Sequence, residues 1–305
     1  MRTLVLGGYG AVGAHIVAEL GRETFVAGRN PARADIAVDL TDDNSYRAAL
    51  TAIPEVDVVV NASGAEDVRL AILATDAGMS FVDITASTAY VAELERLVPA
   101  SPVVVGVGIA PGLTGMLAAA AHRAAPGPVD LAVLLGAGER HGVAATAWTY
   151  DLLGRRFADP GGGSVRNFTR PKAFTLPGFG TRRLYRADFS DQHTLTAEFG
   201  VPVRTYFGLD SRLATSGLAA LTWAPPLGRL KSVRGMHFPG SDRWLALAQA
   251  ADGRTRWAAG RSQARGTGVI AAATARAAMD LPPGVHHGHR VLNLGTVPDR
   301  VIELG

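Results

Sequence analysis

Cysteine is absent from the 305 residues. That excludes disulfides, thiolate nucleophiles and cysteine-ligated zinc together. Lysine is almost missing as well: Lys172 and Lys231 are the whole complement, so arginine carries the positive charge. No apolar run reaches the roughly 18 residues that a membrane span needs. No basic run interleaved with aromatics marks a nucleic-acid surface, and the 30 basic and 27 acidic side chains nearly balance at +3. The first strand pattern starts at residue 2 with no charged, cleavable leader in front of it. A cytoplasmic protein is expected, acting on a small molecule rather than on nucleic acid or a membrane.

What is present is an ordinary globular composition, 48% hydrophobic and 19% charged, in a chain long enough for two domains. Short apolar runs at 2–7, 24–28, 36–40, 56–61, 81–85 and 102–107 read as strands. Helical patterns at 11–21, 43–52, 66–77, 88–97 and 112–124 alternate with them. That rhythm predicts βαβ units and the doubly wound parallel sheet of a Rossmann domain. The punctuation Ala125-Pro126-Gly127-Pro128 suggests a boundary. Beyond it the pattern changes to a strand at 129–136, a helix at 144–157, and Gly/Pro-rich turns among arginines and aromatics. Antiparallel strands are expected within 228–239 and 243–262, the latter folding back at Asp252-Gly253. An alanine-rich helix at 267–279 is expected to return to the first domain. The expected fold class is therefore α/β, a Rossmann sheet over 1–125 plus 266–284 with an inserted α+β domain over 126–265. The insert is expected to supply the substrate cleft and a homodimer interface, and 285–305 to form a C-terminal segment.

Gly7-Gly8-Tyr9-Gly10-Ala11-Val12-Gly13 places G-x-G-x-x-G directly between the first strand and the first helix. Its glycines allow a tight turn, close approach of amides to a pyrophosphate, and close packing of helix on strand. Gly8, Tyr9, Gly10, Ala11, Val12 and Gly13 are thus expected to bind a dinucleotide. A site for NAD wants an acid at the end of the second strand to hold the ribose diol. Here Phe25-Val26-Ala27-Gly28-Arg29-Asn30 contains none. Arg29 is placed to pair with a 2′-phosphate and Asn30 to add a hydrogen bond, so NADPH/NADP is the expected cofactor. Ligands of such sheets sit at the carboxyl ends of the strands. By that rule Asp39 and Leu40, Asn61-Ala62-Ser63-Gly64, and Thr85 with Ala86 are also expected at the cofactor.

The residues four places before the two lysines are Phe168 and Leu227. The Tyr-x-x-x-Lys dyad of short-chain dehydrogenases is thereby excluded, and the missing cysteine excludes zinc and thiol dehydrogenases. Six segments together resemble the saccharopine dehydrogenase-like group of reductases. They are G-G-Y-G-A-V-G, V-A-G-R-N at Val26–Asn30, V-D-L at Val38–Leu40, V-V-V-N-A-S-G at Val58–Gly64, F-V-D-I-T at Phe81–Thr85, and G-I-A-P-G-L at Gly108–Leu113. The resemblance implies an NAD(P)-binding Rossmann domain, an inserted α+β domain that closes over substrate, and a dimer. It implies reduction of imines, with C=C or C=O reduction in some relatives. Where some relatives carry an acid before Pro-Gly, this chain has Ala110. A non-catalytic NADP-sensing protein is the alternative of another class.

Hydride transfer calls for a proton donor or polar stabiliser beside the substrate. His141, just before a helix start, is the first candidate, and His193 the second, with Asp191 close enough in sequence to orient it. Trp148, Tyr150, Phe157, Phe207 and Trp223 are candidates for an apolar pocket, and Arg182, Arg183 and Arg186 for a carboxylate clamp. His286, His287 and His289 lack metal-ligand spacing, and no metal is expected.

Overall fold

The protein is described by a computed structural model over residues 1–139, 143–224, 239–298 and 301–305. The chain divides into two compact units, Met1–Leu113 with Ala264–Pro298, and Thr114–Gln263 with Asp299–Gly305.

The first unit opens with β1 (Thr3–Leu6), α1 (Gly13–Leu20), β2 (Thr24–Gly28), β3 (Ile36–Ala37) and α2 (Asp43–Ala52). It continues with β4 (Val58–Asn61), α3 (Val68–Asp76), β5 (Ser80–Asp83), α4 (Thr88–Leu94) and β6 (Pro102–Val105). β1, β4, β5 and β6 are buried at every position. A strand apolar on both faces is what the interior of a helix-covered parallel sheet requires. These strands lie in the order β6-β5-β4-β1-β2-β3, all parallel. Asp42 and Asp67 cap α2 and α3 by accepting from backbone amides of the first turn. β3 is shorter than the run 36–40 suggests. Asp39 Oδ1 accepts from Thr41 N–H (2.9 Å) and Thr41 Oγ1 (2.7 Å), turning the chain out of the sheet.

The second unit begins with α5 (Thr114–Ala124), earlier than the punctuation at Ala125–Pro128 suggested, because α5 lies along β7 (Val129–Leu135) and two later strands of this unit. Next come α6 (Val143–Asp151), β8 (Arg156–Ala158), β9 (Ser164–Arg166), β10 (Thr169–Leu176), β11 (Gly180–Arg186) and α7 (Ser190–Phe199). β12 (Val203–Leu209), α8 (Arg212–Leu221), β13 (Arg243–Gln249) and β14 (Thr255–Arg261) follow, the last two joined at Asp252-Gly253 as expected. β7 and β12 form a parallel pair, and antiparallel strands flank it in the order β10-β11-β12-β7-β13-β14. The Gly/Pro-rich stretch among arginines and aromatics thus carries two hairpins, β8 with β9 and β10 with β11. Arg182 and Arg183 side by side, with Arg186 on the inward face, masked the period of β11, although Leu184 and Arg186 are buried. The strand expected within 228–239 falls almost wholly outside the described residues.

The chain then returns to the first unit with α9 (Gln263–Ala278), β15 (Gly284–His287) and the short α10 (Gly288–Val291). A Cβ on Gly268 would lie 2.6 Å from His15 Cβ, so the glycine lets α9 press against α1. β15 pairs in parallel with β6, and among the described residues the first sheet has seven strands. β16 (Ile302–Leu304) adds an antiparallel edge to β14. The residues 285–305 therefore do not form a separate segment: one strand enters each sheet. The architecture is α/β, a doubly wound parallel sheet plus a second unit with a mixed sheet.

Candidate functional site

The carboxyl ends of β1, β2, β4 and β5 carry the loops where the sequence placed a dinucleotide. Gly7 takes φ +75° and donates its N–H to Ala27 O at 2.8 Å. The tight turn thus belongs to Gly7 and not to Gly8, the first glycine of the motif. A Cβ on Gly7 would stand 2.7 Å from Ser63 Cα, so the glycine loop and the β4 turn share a wall. A Cβ on Gly13 would stand 2.2 Å from Gly7 O and 2.8 Å from Gly8 Cα. Only glycine lets α1 start that close to the loop. At Gly10 a Cβ would meet Gly7 O at 3.0 Å and no other heavy atom within 4 Å. The helical ladder begins with Ala14 N–H to Gly10 O (3.1 Å), leaving the amides of Ala11, Val12 and Gly13 at the positive end of α1. A glycine-lined cradle facing a helix N-terminus fits a pyrophosphate.

The β4 side of that wall is built by a buried polar knot. Asn61 Nδ2 donates to Ala65 O (2.9 Å) and Asp83 Oδ2 (2.7 Å), while its Oδ1 accepts from Ser63 N–H (3.2 Å) and Ser63 Oγ (2.6 Å). Asp83 also accepts from Thr85 N–H (2.7 Å) and Tyr90 Oη (3.2 Å). Complete burial pushes the Asp83 carboxyl above its ordinary range, against the pull of the bonds from Thr85, Asn61 and Tyr90. Burial likewise raises the Tyr90 phenol, reinforced by the Asp83 charge. Asn61 is thereby used inside the fold, where it shapes the β4 turn. Ala62, Ser63, Gly64, Thr85 and Ala86 are the partly or fully exposed surfaces of these two turns. Leu40 packs against the core of the unit, and Asp39 is held low by its bonds to Thr41, with the Arg29 charge adding to the effect.

At the end of β2, Arg29 and Asn30 are exposed. Asn30 Oδ1 accepts from Ala32 N–H (3.0 Å), and Asn30 O accepts from the amides of Arg33 (3.0 Å) and Ala34 (3.1 Å). A second arginine, absent from the sequence-based expectations, enters here. The Arg33 guanidinium stacks 4.5 Å from the Tyr9 ring centroid and donates to Tyr9 O at 3.1 Å. Its position four residues after Arg29 was the available signal. Tyr9 in turn lies across Gly28, and its Oη accepts from Asn30 N–H at 3.2 Å.

In the second unit, His193 Nε2 lies 2.7 Å from Asp188 Oδ1, and its ring meets Phe157 edge to face at 6.3 Å. The carboxylate bonded to His193 is Asp188 and not Asp191. Asp191, buried in the first turn of α7, accepts from Thr114 Oγ1. An i to i+2 separation on a helix points two side chains apart, whereas Asp188 precedes α7 and can fold back over it. His141 lies outside the described residues. Arg186 is not available as a clamp: it is buried, donates to Asp159 Oδ1 (3.2 Å) and Gln192 Oε1 (3.1 Å), and stacks over Phe157 and Tyr206. Trp148 packs on Phe189, and Phe207 lies among Phe168 and Phe189, while Trp223 is exposed beneath Arg166. In the first unit, His286 donates to Pro282 O at 2.8 Å and His287 lies 3.4 Å from Glu95. Among the described residues no three metal-ligating side chains converge.

The sequence matches no protein-family model and no curated protein sequence. Solved structures do match. Apo saccharopine dehydrogenase (L-Glu forming) from Saccharomyces cerevisiae superposes with a TM-score of 0.59 at 14% identity, covering 94% of each chain. An amine dehydrogenase from Mycobacterium smegmatis gives 0.49 at 13% identity, covering 96% of each chain. The protein therefore has a saccharopine dehydrogenase-like fold. Among the described residues no helix is long and apolar enough to cross a membrane.

Proposed function

We propose that the protein is an NADP(H)-dependent oxidoreductase that transfers hydride to or from a small organic substrate, with an imine as the leading substrate class. The observation that carries the cofactor is the end of β2, where an exposed arginine stands in place of the acid that a ribose diol requires. The glycine cradle, the N-terminus of α1 and the β4 and β5 turns fit the rest of a dinucleotide. When bound, such a cofactor supplies the hydride. The chain supplies anchoring, through the amides of Ala11 to Gly13 and the guanidinium of Arg29. The proton comes from His141 or from His193, and the His193 ring is held by Asp188 through Nε2. The saccharopine dehydrogenase-like fold supports redox chemistry. A cytoplasmic homodimer completes the reading, and sedimentation equilibrium tests its stoichiometry.

The deciding experiment is calorimetric titration with NADPH and NADH. A charge-assisted hydrogen bond is worth about 1.5–3 kcal/mol, roughly ten- to more than a hundredfold in affinity. NADPH is expected to bind at least tenfold more tightly than NADH, and Arg29→Ala to erase most of the difference by weakening NADPH alone. Equal affinities in the native protein would sink the cofactor assignment. A panel of imines, enones and carbonyl compounds, followed by loss of NADPH absorbance, then separates the bond types. No turnover across all three classes would favour a sensor.

A further inference from the structure

Tyr9 and Arg33 form a preassembled unit on the rim of the cradle. Asn30 N–H donates to Tyr9 Oη at 3.2 Å, which holds the ring flat over the end of β2. A Cβ at Gly28 would come within 2.5 Å of Tyr9 Cε1, so the ring occupies the space that a side chain there would need. On this ring the Arg33 guanidinium stacks at 4.5 Å, tied by one N–H to Tyr9 O. Among the described residues neither Arg29 nor Arg33 enters an ion pair. Arg33 is therefore a charged fork whose remaining donors are not consumed by a carboxylate. The turn that carries it begins at Asn30, the residue next to Arg29, whose O accepts from the amides of both Arg33 and Ala34. This single turn keeps both exposed arginines at the same end of β2.

We infer that the 2′-phosphate is held by two guanidiniums, Arg29 and Arg33, and that Tyr9 is the residue that positions the second. This rests on the NADP(H) reading given above and adds to it a specificity-determining residue and its support. Stacking on Tyr9 removes rotamer freedom from the long arginine side chain before ligand arrives, so less entropy is lost on binding. The same ring bars an acid from Gly28, so one aromatic residue both favours the phosphate ester and disfavours the diol.

The test is calorimetry on the full chain with four probes: NADPH, NADH, 2′,5′-ADP and 5′-ADP. The two short probes confine the readout to the adenosine end. Arg33→Ala is expected to weaken NADPH and 2′,5′-ADP about tenfold or more while NADH and 5′-ADP change less than twofold. Arg33→Lys keeps the charge but loses the fork and should fall between. Tyr9→Leu should weaken the same two probes, and adding it to Arg33→Ala should cost nothing further. If the native protein fails to prefer NADPH, the NADP(H) reading itself falls. If it prefers NADPH, Arg29→Ala abolishes the preference and Arg33→Ala leaves it intact, only the present inference is overturned. Additive losses in the double variant would overturn the role of Tyr9. Arg33 is exposed, so its variants test the inference even if Tyr9→Leu does not fold.

Discussion

Gly28→Ala is the smallest perturbation that probes how the β2 end is built. Gly28 does not sit at positive φ, so alanine meets no backbone strain there. Its methyl group would nevertheless lie 2.5 Å from Tyr9 Cε1 and 2.7 Å from Tyr9 Oη, and the ring must swing away. Doing so breaks the bond from Asn30 N–H, worth about 0.5–1.5 kcal/mol, and the Arg33 stack, worth about 0.5–1 kcal/mol at an exposed site. The loss, about 1–2.5 kcal/mol, falls on the fold because both contacts exist before ligand arrives, while NADPH affinity should drop about tenfold through displacement of the Arg33 fork. Global stability should move less, because replacing glycine lowers the entropy of the unfolded chain and offsets about 0.4–1 kcal/mol. Titration with NADPH and NADH beside urea denaturation separates the two effects. An alanine variant that binds NADPH within twofold of the native protein would show that the ring can tilt without consequence, and the account of this rim would be wrong. For the same reason Gly28→Asp is not a simple switch towards NADH: its carboxylate reaches the ribose only after Tyr9 has been displaced.

Four further outcomes are expected. Gly13→Ala forces a methyl group to 2.2 Å from Gly7 O, which is backbone and cannot step aside, so it should cost about 1–3 kcal/mol in urea denaturation and abolish measurable NADPH binding. His193→Ala should lower turnover by about 10²-fold with NADPH affinity unchanged, and Asp188→Asn by less; unchanged turnover would remove His193 from the mechanism. Thr114→Val deprives the buried Asp191 carboxylate of a hydroxyl donor and should destabilise by about 1.5–3 kcal/mol without touching cofactor affinity, a result under 0.5 kcal/mol refuting a structural role for that bond. Burial alone would raise Asp210, but bonds from the amides of Ala137, Ser241 and Ser211 and from the Ser241 hydroxyl outweigh it and hold the carboxyl low. A depressed folded value gives stability that is complete above the unfolded carboxylate range and lost as pH falls through the folded value. Unfolding free energy should therefore drop below about pH 4, less steeply in Asp210→Asn; parallel curves for the two proteins would exclude Asp210 as a contributor.

The sequence by itself determined the first unit almost completely. Local apolar runs such as Val58–Val60 and Pro102–Val105 are buried on both faces, so their period needs no partner to be read. The Gly7–Gly13 loop is equally local, since its glycines answer contacts within and beside a single βα turn. Arg29 and the missing acid are visible for the same reason. Contacts across long separations belonged to the tertiary structure. β15 joins β6 from 182 residues away (Gly284 opposite Pro102), and no local pattern announces that partner. The hairpins β8 to β11 were hidden because their buried positions include Arg186, whose burial is made tolerable by Asp159 and Gln192 rather than by an apolar side chain. The site divides in the same way. Which residue types line the cradle was legible, but which of them face a ligand was not. Asn61 turns its whole amide inward to Ser63, Ala65 and Asp83, and His193 takes Asp188 rather than Asp191. Arg33 is held at the rim by the Tyr9 ring beneath it, 24 positions away in the sequence. Side-chain partners are set by the direction of each Cα–Cβ bond in the folded backbone, and sequence spacing reports that direction only inside a regular element.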